Sequence, residues 1–86
     1  MKKTFQYYAI FSYANDGITV TFPDLEGCIT SGRNLDEATA YAQTAMGLHI
    51  YGLYREGFTI PKPRQLKDIN ATDGASIILI DETLEL

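Results

Sequence analysis

The chain has 86 residues, of which 45% are apolar and 21% charged, and its formal net charge at pH 7 is −4. This composition predicts one small folded domain, residues 1–86, and excludes a disordered chain. The acidic balance argues against nonspecific binding to nucleic-acid phosphates and favours a basic protein partner. A single cysteine excludes an internal disulfide. No apolar run is long enough for a signal peptide or a membrane span, so we expect a cytoplasmic protein with no membrane partner.

The first part of the chain predicts three short strands joined by tight turns. Residues 4–13 alternate in polarity and are rich in aromatic side chains, which is typical of a half-buried strand. Residues 14–17 predict a hairpin turn, and residues 18–22 alternate again. Residues 28–31 predict the third strand. Because the connections are too short for crossovers, we expect an antiparallel meander.

The turn between the second and third strands allows two interpretations. Pro23 ends the strand, because it has no amide hydrogen, and Gly27 lets the chain reverse. Asp24 and Glu26 have the chemistry to bind a metal or transfer protons, but no histidine or third acid lies close in sequence. A structural corner with an acidic rim is therefore favoured. Cys28 comes next, and we expect it to be a small buried side chain rather than a nucleophile.

A long helix is predicted over residues 35–56. Asn34 is a good N-cap, and Glu37 occupies the N3 position of a capping box. The side of the helix expected to pack on the sheet has small and apolar residues, namely Leu35, Ala38, Ala42, Ala45, Met46, His49, Gly52 and Leu53. His49 has no Cys or His companions in sequence, so it is not expected to bind a metal.

After the helix, Pro61 and Pro63 prevent a regular helix or strand from forming. Residues 64–69 predict a short helical turn. Residues 76–81 predict a fourth strand, whose unbroken apolar run indicates cover on both faces. Because this strand follows a helix, a right-handed crossover predicts that it lies parallel to the first strand. The expected fold is α+β, in the order β-β-β-α-β, with the helix on one face of the sheet.

One helix leaves the other face of such a sheet uncovered. Tyr8 and Ile10 point to that face by the strand period. Ile50, Tyr51 and Tyr54 lie off the apolar side of the helix, where they either cover the following loop or form an exposed patch. We therefore expect part of this surface to be buried by a second copy or by another protein.

Three motifs occur in order along the chain: FPDLEGC at residues 22–28, GRNLDEA at 32–38 and EGFTIPKP at 56–63. With them, nearly the whole chain resembles the HicB antitoxin family of bacteria. The resemblance implies a truncated ribonuclease-H-like domain that binds and silences HicA, a small toxin that cleaves messenger RNA. Many relatives continue into a DNA-binding segment. This sequence stops at Leu86, so no such segment and no direct DNA binding are expected.

The resulting hypothesis is a homo-oligomeric antitoxin that docks on a small basic HicA-like ribonuclease and covers its catalytic groove. No catalytic residue, metal or cofactor is expected, because the first strand carries no acid for a ribonuclease-H metal site. One alternative is an orphan homo-oligomeric module that binds RNA or a ligand, and another is a metal-dependent nuclease using Asp24 or Asp81. The predicted partner contacts are aromatic, apolar and acidic residues: Tyr8, Ile10, Asp24, Glu26, Tyr51, Tyr54, Asp81 and Glu82.

Overall fold

The computed structural model describes all of residues 1–86 and consists of a four-stranded sheet with one long helix on one face. The α+β class and the order of the elements agree with the sequence-based expectation. A short 3-10 turn at Leu66–Asp68 precedes the last strand. The elements are β1 (Lys2–Ala14), β2 (Gly17–Thr21), β3 (Ile29–Gly32), α1 (Leu35–Arg55) and β4 (Ser76–Glu85).

The direction of β4 differs from the prediction. The strand order is β3-β2-β1-β4, and β4 pairs with β1 so that Lys2 lies opposite Glu85 and Phe11 opposite Ser76. The whole sheet is therefore antiparallel, and the predicted parallel fourth strand is wrong. The physical reason is the path of residues 56–75, which contact β1 at Tyr7 and the turn after β2 at Asp24 before β4 begins opposite Phe11. At about 3.3 Å per extended residue, this connection is long enough to cross the sheet.

Two long-range contacts hold this connection in place. The Tyr7 hydroxyl donates a hydrogen bond to the carbonyl oxygen of Pro61. Arg64 Nε lies 2.8 Å from Asp24 Oδ1 in the turn after β2. Ile60, just before Pro61, packs against the core. The connection is thereby fixed beside the middle of β1 and the turn after β2, and β4 starts opposite Phe11 rather than opposite Lys2.

The core lies between the sheet and α1. The inward side of β1 is formed by alternate residues from Phe5 to Phe11. The helix contributes a line of fully buried residues spaced by four: Ala38, Ala42, Met46 and Ile50. Because this spacing exceeds 3.6 residues per turn, the buried line drifts by about 40° per turn. The expectation that Ile50 lies off the core is therefore wrong, whereas Leu35 and Gly52, expected to pack inward, are exposed.

The start of α1 lies very close to the end of β3. An added Cβ on Gly32 would lie 2.4 Å from the Ala38 amide nitrogen, so only glycine fits there. Asn34 is the N-cap, and its Oδ1 accepts a hydrogen bond from the Glu37 amide at 2.9 Å. The Glu37 carboxylate accepts from the Arg33 amide at 3.1 Å and from the Arg33 guanidinium at 2.9 Å. These contacts lower the pKa of Glu37.

Candidate protein-interaction surfaces

The sheet face opposite α1 has an uncovered apolar row that crosses all four strands. Ile10 in β1 lies opposite Thr21 in β2 and Ile77 in β4, and Thr21 in turn lies opposite Ile29 in β3. In the next row Tyr8 pairs with Leu79. Directly opposite side chains of this kind contact each other and form a continuous surface. The outer patch comprises Tyr8, Ile10, Ile29, Ile77 and Leu79.

The outer patch is only partly shielded by its neighbours. Ile29 is 64% exposed and Leu79 45%, while the other three side chains are half-buried. The flanking positions on this face are mostly Ser, Thr and Gln, and Asp81, opposite Gln6, is the nearest carboxylate along β4. A contiguous, nearly uncharged apolar surface of this type is characteristic of a protein interface.

A second exposed surface lies on α1, away from the core. Tyr41, Leu48, Tyr51 and Tyr54 are 49%, 69%, 40% and 48% exposed, and we refer to these four residues as the helix stripe. The rings of Tyr51 and Tyr54 have centroids 6.4 Å apart. The Arg55 guanidinium lies 5.8 Å from the Tyr51 ring centroid, and its Nη1 donates to the Tyr51 hydroxyl at 3.2 Å. The stripe therefore presents to solvent aromatic rings that contact one another and Arg55.

A groove of about 270 Å³ runs beside the helix stripe, between α1 and β4. Leu48 and Tyr51 line its helical side, and Glu82 and Leu84 line its strand side. Gly47 forms the floor, where an added Cβ would lie 3.3 Å from Glu82 Cγ. The fold thus brings two of the predicted contact residues, Tyr51 and Glu82, to one groove that combines aromatic surface with a carboxylate.

The corner after β2 separates its two acids. The Asp24 side chain is only 5% exposed and binds Arg64, which also donates to the Pro23 carbonyl oxygen at 3.4 Å. Glu26 is exposed. Gly27 has φ of +84°, a left-handed conformation that favours glycine and lets the chain turn back. Asp24 thus has a structural contact, and Glu26 is the acid that this corner presents to solvent.

Cys28 follows the corner in a buried position, 4% exposed. Burial raises the pKa of its thiol, which disfavours the nucleophilic thiolate. No cluster of three or more His, Cys, Asp or Glu side chains is arranged to hold a metal ion. The helix α1 is not apolar enough over its length to cross a membrane.

Several surface residues were missed by sequence reasoning although a signal was present. Tyr41 and Leu48 lie at helical spacing from the predicted Tyr51 and therefore share one side of α1 with it. Ile77 and Leu79 belong to the apolar run that was expected to be covered on both faces; in the structure only the alternate face contacts the core. The outer patch and the helix stripe together add five residues to the predicted set: Ile29, Tyr41, Leu48, Ile77 and Leu79.

Residues 7–81 match the family model described as the HicB_like antitoxin of bacterial toxin-antitoxin system. The chain belongs to the HicB-like antitoxin family. This match covers β2, β3 and α1 entirely, together with most of β1 and the first part of β4, so it includes the helix stripe and the outer patch.

Chains in three solved structures share the fold of this HicB-like chain. A chain of a toxin-antitoxin complex from Streptococcus pneumoniae superposes with a TM-score of 0.80 at 22% identity, covering 92% of this chain and 69% of that chain. A chain of the HicA3 and HicB3 toxin-antitoxin complex gives 0.69 at 24% identity, covering 88% and 95%. The N-terminal domain of Burkholderia pseudomallei antitoxin HicB gives 0.74 at 20% identity, with the same coverage of 88% and 95%.

One relative is similar in sequence over part of its length. It is an uncharacterized 14.9 kDa protein from the rep-hol intergenic region of Haemophilus phage HP1, strain HP1c1, 36% identical over 53 residues. The aligned segment covers 62% of this HicB-like chain and 40% of the phage protein. The chain therefore spans less than half the length of that relative.

Proposed function

We propose that this HicB-like chain is an antitoxin that binds a HicA-like, messenger-RNA-cleaving toxin and occludes its catalytic groove. Membership of the antitoxin family supports the role, and two of the structures with this fold are toxin-antitoxin complexes. The structural observation that carries the proposal is the helix stripe beside Glu82. It offers aromatic and apolar side chains that are 40–69% exposed, next to a carboxylate.

The chemistry of this surface suits a small basic partner. Tyr and Leu side chains bury a large apolar area at a modest cost in conformational entropy, and tyrosine is enriched among residues that dominate binding. Glu82 at the groove and the net charge of −4 would attract a cationic toxin and speed the encounter. Occlusion requires tight binding and no chemical step, so the proposed role is not enzymatic.

The size of the chain is compatible with such a complex. A stable interface buries roughly 800 Å² on each partner, and the accessible surface of this chain is 5757 Å². The toxin would therefore cover about one seventh of it, which the helix stripe and its groove can supply together with neighbouring residues. A cytoplasmic location is part of the same proposal, because the target of the toxin is messenger RNA.

A titration calorimetry experiment with a purified HicA-like toxin tests the proposal. Leu48→Glu places a charge in the centre of the helix stripe, and we expect binding to weaken by at least about tenfold. Leu66→Glu is the matched control, because Leu66 is similarly exposed at 51% but lies outside the stripe. Both variants should keep the far-ultraviolet spectrum of the parent. No complex, or equal weakening by both substitutions, would contradict the proposal.

We also propose that a second copy of the chain covers the outer patch. A twofold interface places the same patch of both copies face to face. A nearly uncharged apolar patch can pack in this way, whereas a patch of like charges would repel itself. Sedimentation velocity should therefore show a dimer that Leu79→Lys converts to a monomer, while Asn70→Lys, on an exposed connection, leaves it dimeric. A parent chain that stays monomeric at all concentrations would refute the dimer without affecting the antitoxin role.

A further inference from the structure

The strand β1 has one edge that no other strand of the chain covers. β4 pairs with β1 along its length from Lys2 to Phe11, whereas β2 pairs only with Ile10–Ala14. On the side of β1 away from β4, the backbone N–H and C=O groups of alternate residues in segment 2–9 therefore face no neighbouring strand. None of the 10 backbone–backbone hydrogen bonds made outside the helix and strands involves residues 3–9. Such an edge is a template for a further strand.

A groove of about 450 Å³ lies along this free edge. Residues 3–7 form one wall, and residues 60–63 of the connection form the other. Pro61 and Pro63 have no amide hydrogens, so the second wall does not complete the sheet itself. The hydrogen bond from Tyr7 to Pro61 keeps this wall fixed beside the strand. The groove is therefore bounded by a rigid wall on one side and by unpaired backbone groups on the other.

The groove is basic although the chain is acidic. Lys3 and Lys62 line opposite walls, and Lys2 is adjacent to the first of them. None of these three lysines takes part in a salt bridge within the chain. Lys3 Nζ lies over the Phe5 ring, 5.3 Å from its centroid. The free cations beside the strand edge favour an occupant with negative charge.

We propose that the free edge of β1 binds an extended, acidic peptide segment of a protein partner, which adds to the sheet as a fifth strand. Backbone hydrogen bonds to residues 3–7 would supply affinity, and Lys3 and Lys62 would select acidic side chains. A second copy meeting this edge through a twofold axis is disfavoured, because it would bring the lysines of both copies together. This site is separate from the helix stripe and does not depend on the toxin being the partner.

Fluorescence anisotropy with labelled peptides on the full chain tests this inference. The probe is the alternating acidic peptide EVEVTVEVE. Its comparators are the basic peptide KVKVTVKVK and the acidic peptide methylated on two consecutive central amides. We expect the acidic probe to bind at least about tenfold more tightly than either comparator, because each comparator lacks either the charge or the backbone donors. Binding should weaken as salt is raised.

Matched variants and hydrogen exchange complete the test. Lys62→Glu should weaken binding of the acidic probe by about tenfold, while Lys67→Glu, the same change at an exposed lysine outside the groove, should alter it less than about threefold. Bound probe should slow exchange of the amides of residues 3–7 that face away from β4. Absence of probe binding, equal binding of acidic and basic peptides, or binding without slowed exchange would each overturn the inference. So would equal binding of an oligouridylate, which would indicate a general anion site.

Discussion

Arg64 and Asp24 form a two-point contact between the connection after α1 and the turn after β2. Arg64 Nε lies 2.8 Å from Asp24 Oδ1, and the Arg64 amide donates to Asp24 Oδ2 at 3.0 Å. The Asp24 side chain is nearly buried while Arg64 is half-exposed. This contact fixes the connection beside β2, and it thereby contributes to the antiparallel direction of β4.

We expect Asp24→Ala to lower the free energy of unfolding by about 1–3 kcal/mol, because it leaves the Arg64 amide and guanidinium without their acceptor. Glu26→Ala is the control, since Glu26 is an exposed acid on the same corner, and its effect should stay within about 0.5 kcal/mol. Urea unfolding followed by circular dichroism measures both. Equal effects of the two substitutions would contradict the structural role of Asp24.

A second prediction concerns the close approach of β3 and α1. We expect Gly32→Ala to destabilise the fold by about 1–3 kcal/mol or more, because its Cβ would overlap the Ala38 backbone, which cannot move independently. Gly52→Ala is the matched change on an open helical position, where no atom lies within 4 Å of the added Cβ. It should stabilise the fold by about 0.5–1 kcal/mol. Thermal unfolding should show a lower midpoint temperature for Gly32→Ala and a higher one for Gly52→Ala. An unchanged midpoint for Gly32→Ala would refute the packing argument.

The third prediction concerns the reactivity of Cys28. Burial both shields the thiol and raises its pKa, so less thiolate is present in the folded chain at slightly alkaline pH. We expect a thiol reagent such as DTNB to react at least about tenfold more slowly with the native chain than with the urea-unfolded chain. The variant Cys28→Ser with Ile29→Cys places a thiol on the exposed outer patch and should react rapidly. Rapid labelling of native Cys28 would contradict the buried assignment.

The local elements were largely predictable, because their signals are local. The alternation in β1, the Asn34 cap and the turn chemistry at Gly27 each depend on a few adjacent residues. The position of Ile50 was not predictable from an ideal helix, because the buried line follows the sheet and drifts around α1. Periodicity shows which residues share a side, but contact with the sheet decides which side becomes the core.

The direction of β4 depended on contacts that no local pattern reveals. Tyr7 with Pro61 and Asp24 with Arg64 join residues that are 54 and 40 positions apart in the chain. The predicted parallel strand assumed that β4 starts where α1 ends, whereas the connection first contacts β1 and the turn after β2. The free edge of β1 was hidden for the same reason, since it exists only because β2 pairs with Ile10–Ala14 alone.

The most direct test of the antitoxin proposal is a messenger-RNA cleavage assay with the purified HicA-like toxin and increasing amounts of the folded chain. Because occlusion is by binding, we expect cleavage to fall in proportion to the added chain and to stop at a fixed stoichiometric ratio. Unchanged cleavage in the presence of excess folded chain, or RNA degradation by the chain alone, would contradict it.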